Sequence, residues 1–255
     1  MLDYASAMRM VVDALAAETG CTPEQLAEPG VRLCERPDGR GPRPAPARRF
    51  RPKHPSFEAV CLGDGAIVSA SRELLPALVS HFEGVERDQA FETERLSAVS
   101  QLLRPHGLWI RGPVPRLVCG QDTLRRPPVP EDFRMVVEPD PPIERVRELG
   151  HSAWSNAIDA SQVSGALPTT VVAIGYGDGR VVGVAAATAE APRLWQIGID
   201  VADEARGRGL GSALVAAVAE HVLAAGRVPW YAVAPANLRS LRTALAAGFR
   251  PAWLE

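Results

Sequence analysis

The feature that most constrains this chain is the stretch WQIGIDVADEARGRGLGSALVAAVAEHVLAAG, residues 195–226. An apolar, strand-like run meets a knot of Arg and Gly, and an Ala/Val/Leu pattern at helical spacing follows at once. Gly207, Gly209 and Gly211 stand at the mouth of that helix. A helix that starts where a strand stops leaves backbone N–H groups without partners. Those groups and the helix dipole attract an anion. Glycine allows positive φ and lets a bulky phosphate approach without a Cβ in the way. Arg206 and Arg208 add positive charge at the same place. The segment therefore predicts a phosphate or pyrophosphate site.

Three templates compete for it. A P-loop needs GxxxxGK[ST], and no lysine follows these glycines; Lys53 is the only lysine of the chain. A dinucleotide fold needs GxGxxG, and counting from Gly207 the third position falls on Ser212. It also calls for an acidic residue at the end of the next strand, and VPWYAVAP (228–235) has none. The pattern [QR]-x-x-G-x-[GA] is met in full by Arg206-Gly207-Arg208-Gly209-Leu210-Gly211. A plain nucleotide-phosphate binder, stabilised by ATP or NAD, remains a separate reading.

With IDVADEARGRGLGSALV as strand, loop and helix, and ANLRSLRTALAAGF as a later Asn-led helix ending in Gly-Phe, the chain resembles the GNAT superfamily of acetyl-CoA-dependent N-acetyltransferases over about residues 133–255. The resemblance implies a central strand splayed from its neighbour, with pantetheine filling the gap. It implies pantetheine amides bonded to the backbone of Ile199 and Val201. It implies a pyrophosphate held by N–H groups of Arg206, Gly207, Arg208, Gly209, Leu210, Gly211 and Ser212, with Asn237 near the cofactor. The cosubstrate is then acetyl-CoA, with no metal. The acceptor is an amine of a small molecule or peptide, attacking the thioester directly in a ternary complex. Read on its own, Asn237 is an N-cap.

Amine acetylation needs a neutral amine, a donor for the thioester oxygen and an outlet for the thiolate. The family's frequent general acid is a Tyr seven residues after the capping Asn, and here that position is Ala244. Tyr231 and Tyr176 are substitutes on paper. Asp200 is the candidate base, because a carboxylate in an apolar strand is costly unless it works or is paired, for instance with Arg206. Gln196 could orient water. His151 opens a helical piece, and His221 lies mid-helix. Cys119 has no His–carboxylate pattern to make it a nucleophile. The missing Tyr and unclear base keep a second class open, a non-catalytic acyl-CoA-binding sensor.

The rest of the chain sets the frame. With 46% hydrophobic residues and a net charge of −2, a globular protein is expected, without a nucleic-acid partner. No apolar run has the length of a membrane span, and the first residues lack a signal-peptide pattern, so a cytoplasmic protein is expected. Cys21, Cys34, Cys61 and Cys119 form no CxxC pair and read as free thiols. Residues 3–18 read as an amphipathic helix with Tyr4, Met8, Val11, Val12 and Leu15 on one face. The Arg/Pro-rich segment 36–55 reads as a solvated loop with almost nothing to bury.

RRPPVPE (125–131) is the linker candidate. The expected fold is α/β: a GNAT-like mixed sheet flanked by helices over 133–255, and an N-terminal α/β lobe over 1–128. LGDGAIVSAS (62–71) and YGDGRVVGVA (176–185) are hairpins with the same Gly-Asp-Gly turn. Two readings of the first lobe follow: a partial, degenerate copy of the acetyltransferase fold, or an unrelated α/β lobe. Either one could build part of an acceptor pocket.

Overall fold

The structure, a computed structural model, describes residues 2–36, 48, 56–150 and 154–255. The elements in chain order are α1 (Tyr4–Thr19), α2 (Pro23–Ala27), β1 (Gly30–Glu35), β2 (Phe57–Leu62), β3 (Gly65–Ala70), α3 (Leu75–Phe82), α4 (Thr93–Leu103) and β4 (Pro115–Val118). There follow β5 (Arg134–Pro139), α5 (Ile143–Gly150), α6 (Ala160–Val163), β6 (Thr169–Gly177), β7 (Arg180–Thr188), β8 (Leu194–Val201), α7 (Leu210–Ala224), β9 (Val228–Ala232), α8 (Leu238–Ala246) and β10 (Arg250–Leu254). No described helix is long and apolar enough to cross a membrane.

The chain forms two compact units. One contains the stretch to Met10 and Leu117–Pro251; the other contains Val11–Arg116 and Ala252–Glu255. The expected linker at 125–131 thus falls inside the first unit, and both ends of the chain cross the expected boundary. The reason is local hydrogen bonding. The Gln121 N–H donates to the Leu2 carbonyl at 2.9 Å and the Arg125 N–H to the Ala247 carbonyl at 3.0 Å, which ties 117–125 to the unit that follows it.

In the first unit the strand order is β4-β9-β8-β7-β6-β5. β5 to β8 are antiparallel, and β8 to β9 is parallel. Side chains alternate across the sheet. Val171 and Ala173 of β6, with Ala185 and Ala187 of β7, face the cluster that holds α7. Val172, Ile174, Val184 and Ala186 face Val146 and Leu149 of α5 together with Trp154 and Ile158. α7 buries Leu210, Leu214, Val218 and Val222 as its spacing predicts, and also Ala213, Val215, Ala216 and Ala219. A helix apolar nearly all round is an interior helix. Gly175 and Gly183 lie opposite each other in register. A Cβ on either would stand 3.0 Å from a Leu210 or Leu214 methyl group, so the paired glycines form the shallow into which α7 settles.

The second unit orders its strands β1-β3-β2-β10, with β1 parallel to β3 and the other pairs antiparallel. Both units run helix, helix, strand, strand, strand, helix along the chain. Their sheet orders differ. β1 sits beside β3, whereas β6 sits beside β7. Both Gly-Asp-Gly hairpins form, as β2–β3 and β6–β7.

Several local expectations shift. LWIRG (108–112) reads as a strand in sequence but does not form one. α1 buries Ala7, Val11, Ala14 and Leu15, a face rotated from the one expected, and Tyr4, Met8 and Val12 are only half-buried. TPEQ (22–25) offers a capping residue, a first-turn proline and a Gln at the reach-back position, and Thr22 and Gln25 do form a capping box. Most of 36–55 lies outside the described residues, but the two described members are not solvated: Arg36 and Arg48 are buried.

Arg48 meets a carboxylate that the helix pattern left unread. Glu18, on the buried side of α1, accepts from Arg48 Nε at 2.9 Å, from Nη2 at 2.6 Å and from the Arg48 N–H at 2.6 Å. Arg48 Nη2 also reaches Glu255 at 2.9 Å, and Arg116 pairs the other oxygen of Glu255 at 3.1 Å. Burial works against the Arg48 charge, and Glu18 and Glu255 outweigh it, holding the guanidinium protonated well above its ordinary range. Burial likewise opposes ionisation of Glu255, but Arg48 and Arg116 win and lower its carboxyl to about 2. Glu58, beside Arg36, moves the other way, because burial outweighs its partner.

Two predictions follow from this network. Glu18→Gln leaves Arg48 buried with one charge partner fewer, and should cost about 3–5 kcal/mol in urea unfolding. Glu255 has a folded pKa below its unfolded value. Its stabilisation is therefore complete above pH about 4.5 and is lost as pH falls toward about 2. Glu255→Gln should flatten the stability curve across that acid window, read by circular dichroism during acid titration.

Candidate functional site

The site grows from β8. On one side it pairs with β7 over Gln196–Val201, from Thr188↔Gln196 to Gly183↔Val201. On the other side it pairs with β9 only at Leu194↔Val228, Trp195↔Pro229 and Gln196↔Trp230. Beyond Gln196 the two parallel strands separate. The Ala202 N–H donates to the Val182 carbonyl at 2.9 Å, which sets the alternation of the ladder. Even-numbered residues of β8 turn their backbone groups to β7, and Ile197, Ile199 and Val201 turn theirs to the open side. These include the two residues expected from sequence.

The open edge leads into the glycine knot. A short turn of 3-10 helix, Asp203–Ala205, follows β8, and the Arg206 N–H is taken by the Asp203 carbonyl at 3.2 Å. Gly207 and Gly209 then adopt φ of +76° and +93°. Gly209 is the N-cap of α7 and supplies no side chain to its N–H groups. Among the described residues, nothing in the chain accepts a hydrogen bond from the N–H groups of 207–212. Of the N–H groups expected to be free from 206 to 212, that of Arg206 is therefore already engaged.

The two arginines are held by neighbours. Arg206 Nε donates to the Val201 carbonyl at 2.9 Å, and its guanidinium pairs with Asp203. Arg208 pairs with Asp132 and lies 4.6 Å from the centre of the Phe133 ring. Both remain substantially exposed.

Asp200 does not pair with Arg206. Its carboxylate accepts from the Asn156 N–H at 2.7 Å, the Asn156 side-chain amide at 2.5 Å and the Ala157 N–H at 3.0 Å. Both oxygens are engaged with donors from residues 156 and 157. This overturns the pairing expected with Arg206 and places Asp200 as a tether for residues 156–157. Gly198 fits the same contact: a Cβ there would lie 1.9 Å from the Asn156 carbonyl oxygen. The connection between α5 and α6 thus rests directly on the backbone of β8. A glycine inside an apolar strand was the one sequence signal for such an approach.

Around α8, Asn237 caps the helix, its side-chain oxygen accepting from the Ser240 N–H at 3.1 Å. The helical spacing of Leu241 and Leu245 predicts both inward, but Leu245 points outward, while Ala244 and Ala247 are fully buried. Leu241, Ala244 and Ala247 share the helical face that meets the core. Ala244 therefore presents a methyl group to the core where the family pattern would carry a phenol. Tyr231 is buried, and its hydroxyl lies 2.8 Å from that of Ser240. Burial, and then the nearby Asp200 charge, push its phenol up to about 12 despite the Ser240 contact. Tyr176 stacks with Arg134 at 4.4 Å. Cys119 is buried and its thiol is pushed up, which removes its nucleophilic form. His151 lies outside the described residues.

Residues 135–249 match the family model described as "Acetyltransferase (GNAT) family". That segment is a GNAT-family acetyltransferase domain. No curated protein matches the chain. Among solved structures, a GCN5-related N-acetyltransferase from Kribbella flavida aligns at 20% identity and a TM-score of 0.47, over 62% of each chain. A tandem GNAT protein from the clavulanic acid biosynthesis pathway aligns at 17% identity and a TM-score of 0.47, over 98% of this chain and 94% of its own. A GCN5-related N-acetyltransferase-like protein from Streptococcus suis aligns at 19% identity and a TM-score of 0.45, over 74% of this chain and 77% of its own. The chain spans 62% of the length of the Kribbella protein, short of two thirds.

The tether yields a prediction. Gly198→Ala and Asp200→Asn each free residues 156–157 from β8 and should each cost about 1–3 kcal/mol in chemical denaturation. The double variant should cost clearly less than the sum, because both act on one contact.

Proposed function

We propose that residues 133–255 bind acetyl-CoA and that the protein transfers its acetyl group to a primary amine of a small molecule or peptide. The observation that carries this reading is the continuity of two unpaired backbone surfaces. The free edge of β8 beyond Gln196 runs into the free N–H groups of 207–212. A ligand matching both needs an amide-bearing chain that can act as a strand, ending in a pyrophosphate. Coenzyme A has that form.

In this reading the groups of Ile199 and the N–H of Val201 bond the pantetheine amides. The Val201 carbonyl is already used by Arg206. The N–H groups of Gly207, Arg208, Gly209, Leu210, Gly211 and Ser212 hold the pyrophosphate, with the Arg206 and Arg208 charges beside it. Asn237 stands near the cofactor while capping α8. The neutral acceptor amine attacks the thioester carbon, the C–S bond breaks from the tetrahedral intermediate, and the proton lost by the nitrogen passes to the departing CoA thiolate, directly or through water. The Tyr231 hydroxyl stays protonated through neutral pH, so it serves as a donor and not as a base. A metal has no step in this chemistry.

Ala244 and the fully engaged Asp200 favour a second reading, an acyl-CoA-binding sensor without turnover. One assay separates the two: acetyl-CoA with a panel of amines, followed by free thiol. Amine-dependent thiol release is the expected result; tight CoA binding with no release by any amine makes the sensor the better account. Stabilisation by ATP or NAD in place of CoA would remove both. Gly209→Ala places a Cβ at positive φ in the cradle and should raise the Kd for CoA about tenfold by calorimetry.

A further inference from the structure

We propose that Cys21 and Cys34 are a dithiol that a hydroperoxide converts to an intramolecular disulfide, with Cys21 as the attacking sulfur. Cys21 lies in the turn between α1 and α2, and Cys34 lies in β1. A buried hydroxyl brings them together. Ser69 is the register partner of Cys34 across β1 and β3. Its side chain donates to the Thr19 carbonyl at 2.8 Å, which fixes the turn Thr19-Gly20-Cys21 beside Cys34. Gly20, at φ +76°, then carries the chain back to Cys21. Thr19 Oγ1 lies 3.0 Å from Cys21 Sγ, and both cysteines are half-buried, within reach of a small oxidant.

The four thiols of the chain are not equivalent. Burial pushes the Cys61 and Cys119 thiols up. At Cys21 the leading influence is the hydrogen bond from the Cys34 thiol. Burial opposes it, while Thr19, the local backbone and Arg32 add to it, and the thiol is lowered to about 7. Cys34 is pushed up by the same contact and keeps its proton. The pair thus holds one nucleophilic sulfur and one protonated sulfur side by side, the arrangement of an attacking and a resolving cysteine.

The chemistry balances with hydrogen peroxide as oxidant. The Cys21 thiolate attacks one peroxide oxygen, the O–O bond breaks, and hydroxide leaves to become water with the proton that Cys21 had lost. Cys21 is then a sulfenic acid. The Cys34 sulfur attacks Cys21 Sγ, the S–O bond breaks, and the departing hydroxide takes the Cys34 proton as a second water. Two thiols are oxidised and one peroxide is reduced. The product links the end of α1 to β1. The proposal is independent of the acyl-transfer reading.

The test uses the full chain, treated with a small excess of hydrogen peroxide at neutral pH. The expected product is about 2 Da lighter by intact mass. Trypsin, which cuts between the two cysteines at Arg32, should give peptides that stay joined through Cys21 and Cys34 until a reductant is added. On the untreated protein, limiting iodoacetamide should label Cys21 before the other three. Cys34→Ser should leave a sulfenic acid at Cys21 that dimedone traps, and Cys21→Ser should leave Cys34 unoxidised under the same dose. The proposal is overturned if Cys21 and Cys34 both still react with maleimide after treatment. It is also overturned if the cross-link joins another pair, or if Cys21 passes to the sulfinic acid with Cys34 still reduced.

Discussion

The unpaired edge of β8 is the constraint on which the rest of the first unit depends. A strand inside a sheet normally satisfies both rows of backbone groups, and leaving one row open is costly unless something else fills it. Here the β8–β9 ladder closes only as far as Gln196↔Trp230. The unit accepts that opening because β7 holds the other edge of β8 over Gln196–Val201, the part that opens toward β9, and α7 packs on its face. The paired glycines under Leu210 let α7 approach closely enough to do so. The same approach brings the start of α7, with its free N–H groups, to the end of the open edge.

The chemistry of the site is decided by what the neighbours of β8 consume. Asp200 has its oxygens taken by Asn156 and Ala157, and Arg206 is turned back onto the Val201 carbonyl. What remains free is backbone: N–H groups in a row along an edge and around a loop. Such a surface recognises amides and phosphates by geometry, with side-chain charge in a secondary role. The tether also carries a cost. Because residues 156–157 are bonded to β8, any change in the strand at 198–200 is felt by the connection between α5 and α6.

The second unit rests on a different physics. Its apolar cluster around Val68, Leu78, Phe82, Val99 and Leu103 is ordinary. Its buried charges are not: Glu18, Arg48, Arg36 and Glu58 are all shielded from water, and each has an opposite charge within reach. Such groups are hard to stabilise singly and strongly destabilising when one partner is removed. They specify where Arg48 must sit within an Arg- and Pro-rich segment whose composition argues only for solvent.

Local order set most of what was readable beforehand. Hairpins at Asp64-Gly65 and Asp178-Gly179, the Thr22 capping box, the Asn237 cap and the strand–glycine–helix unit at 194–224 each depend on residues close along the chain, so spacing and propensity suffice to find them. Long-range contacts were out of reach for the same reason. Nothing near Glu18 announces Arg48, nothing near Asp200 announces Asn156, and the inward face of α8 was missed because Leu245 is apolar yet points to water. By itself the sequence determined the α/β elements and a glycine turn at the mouth of α7, since φ freedom and helix ends are local properties. Only the tertiary structure decided which groups near that turn stay free to bind, because freedom is what is left after partners distant in sequence have taken theirs.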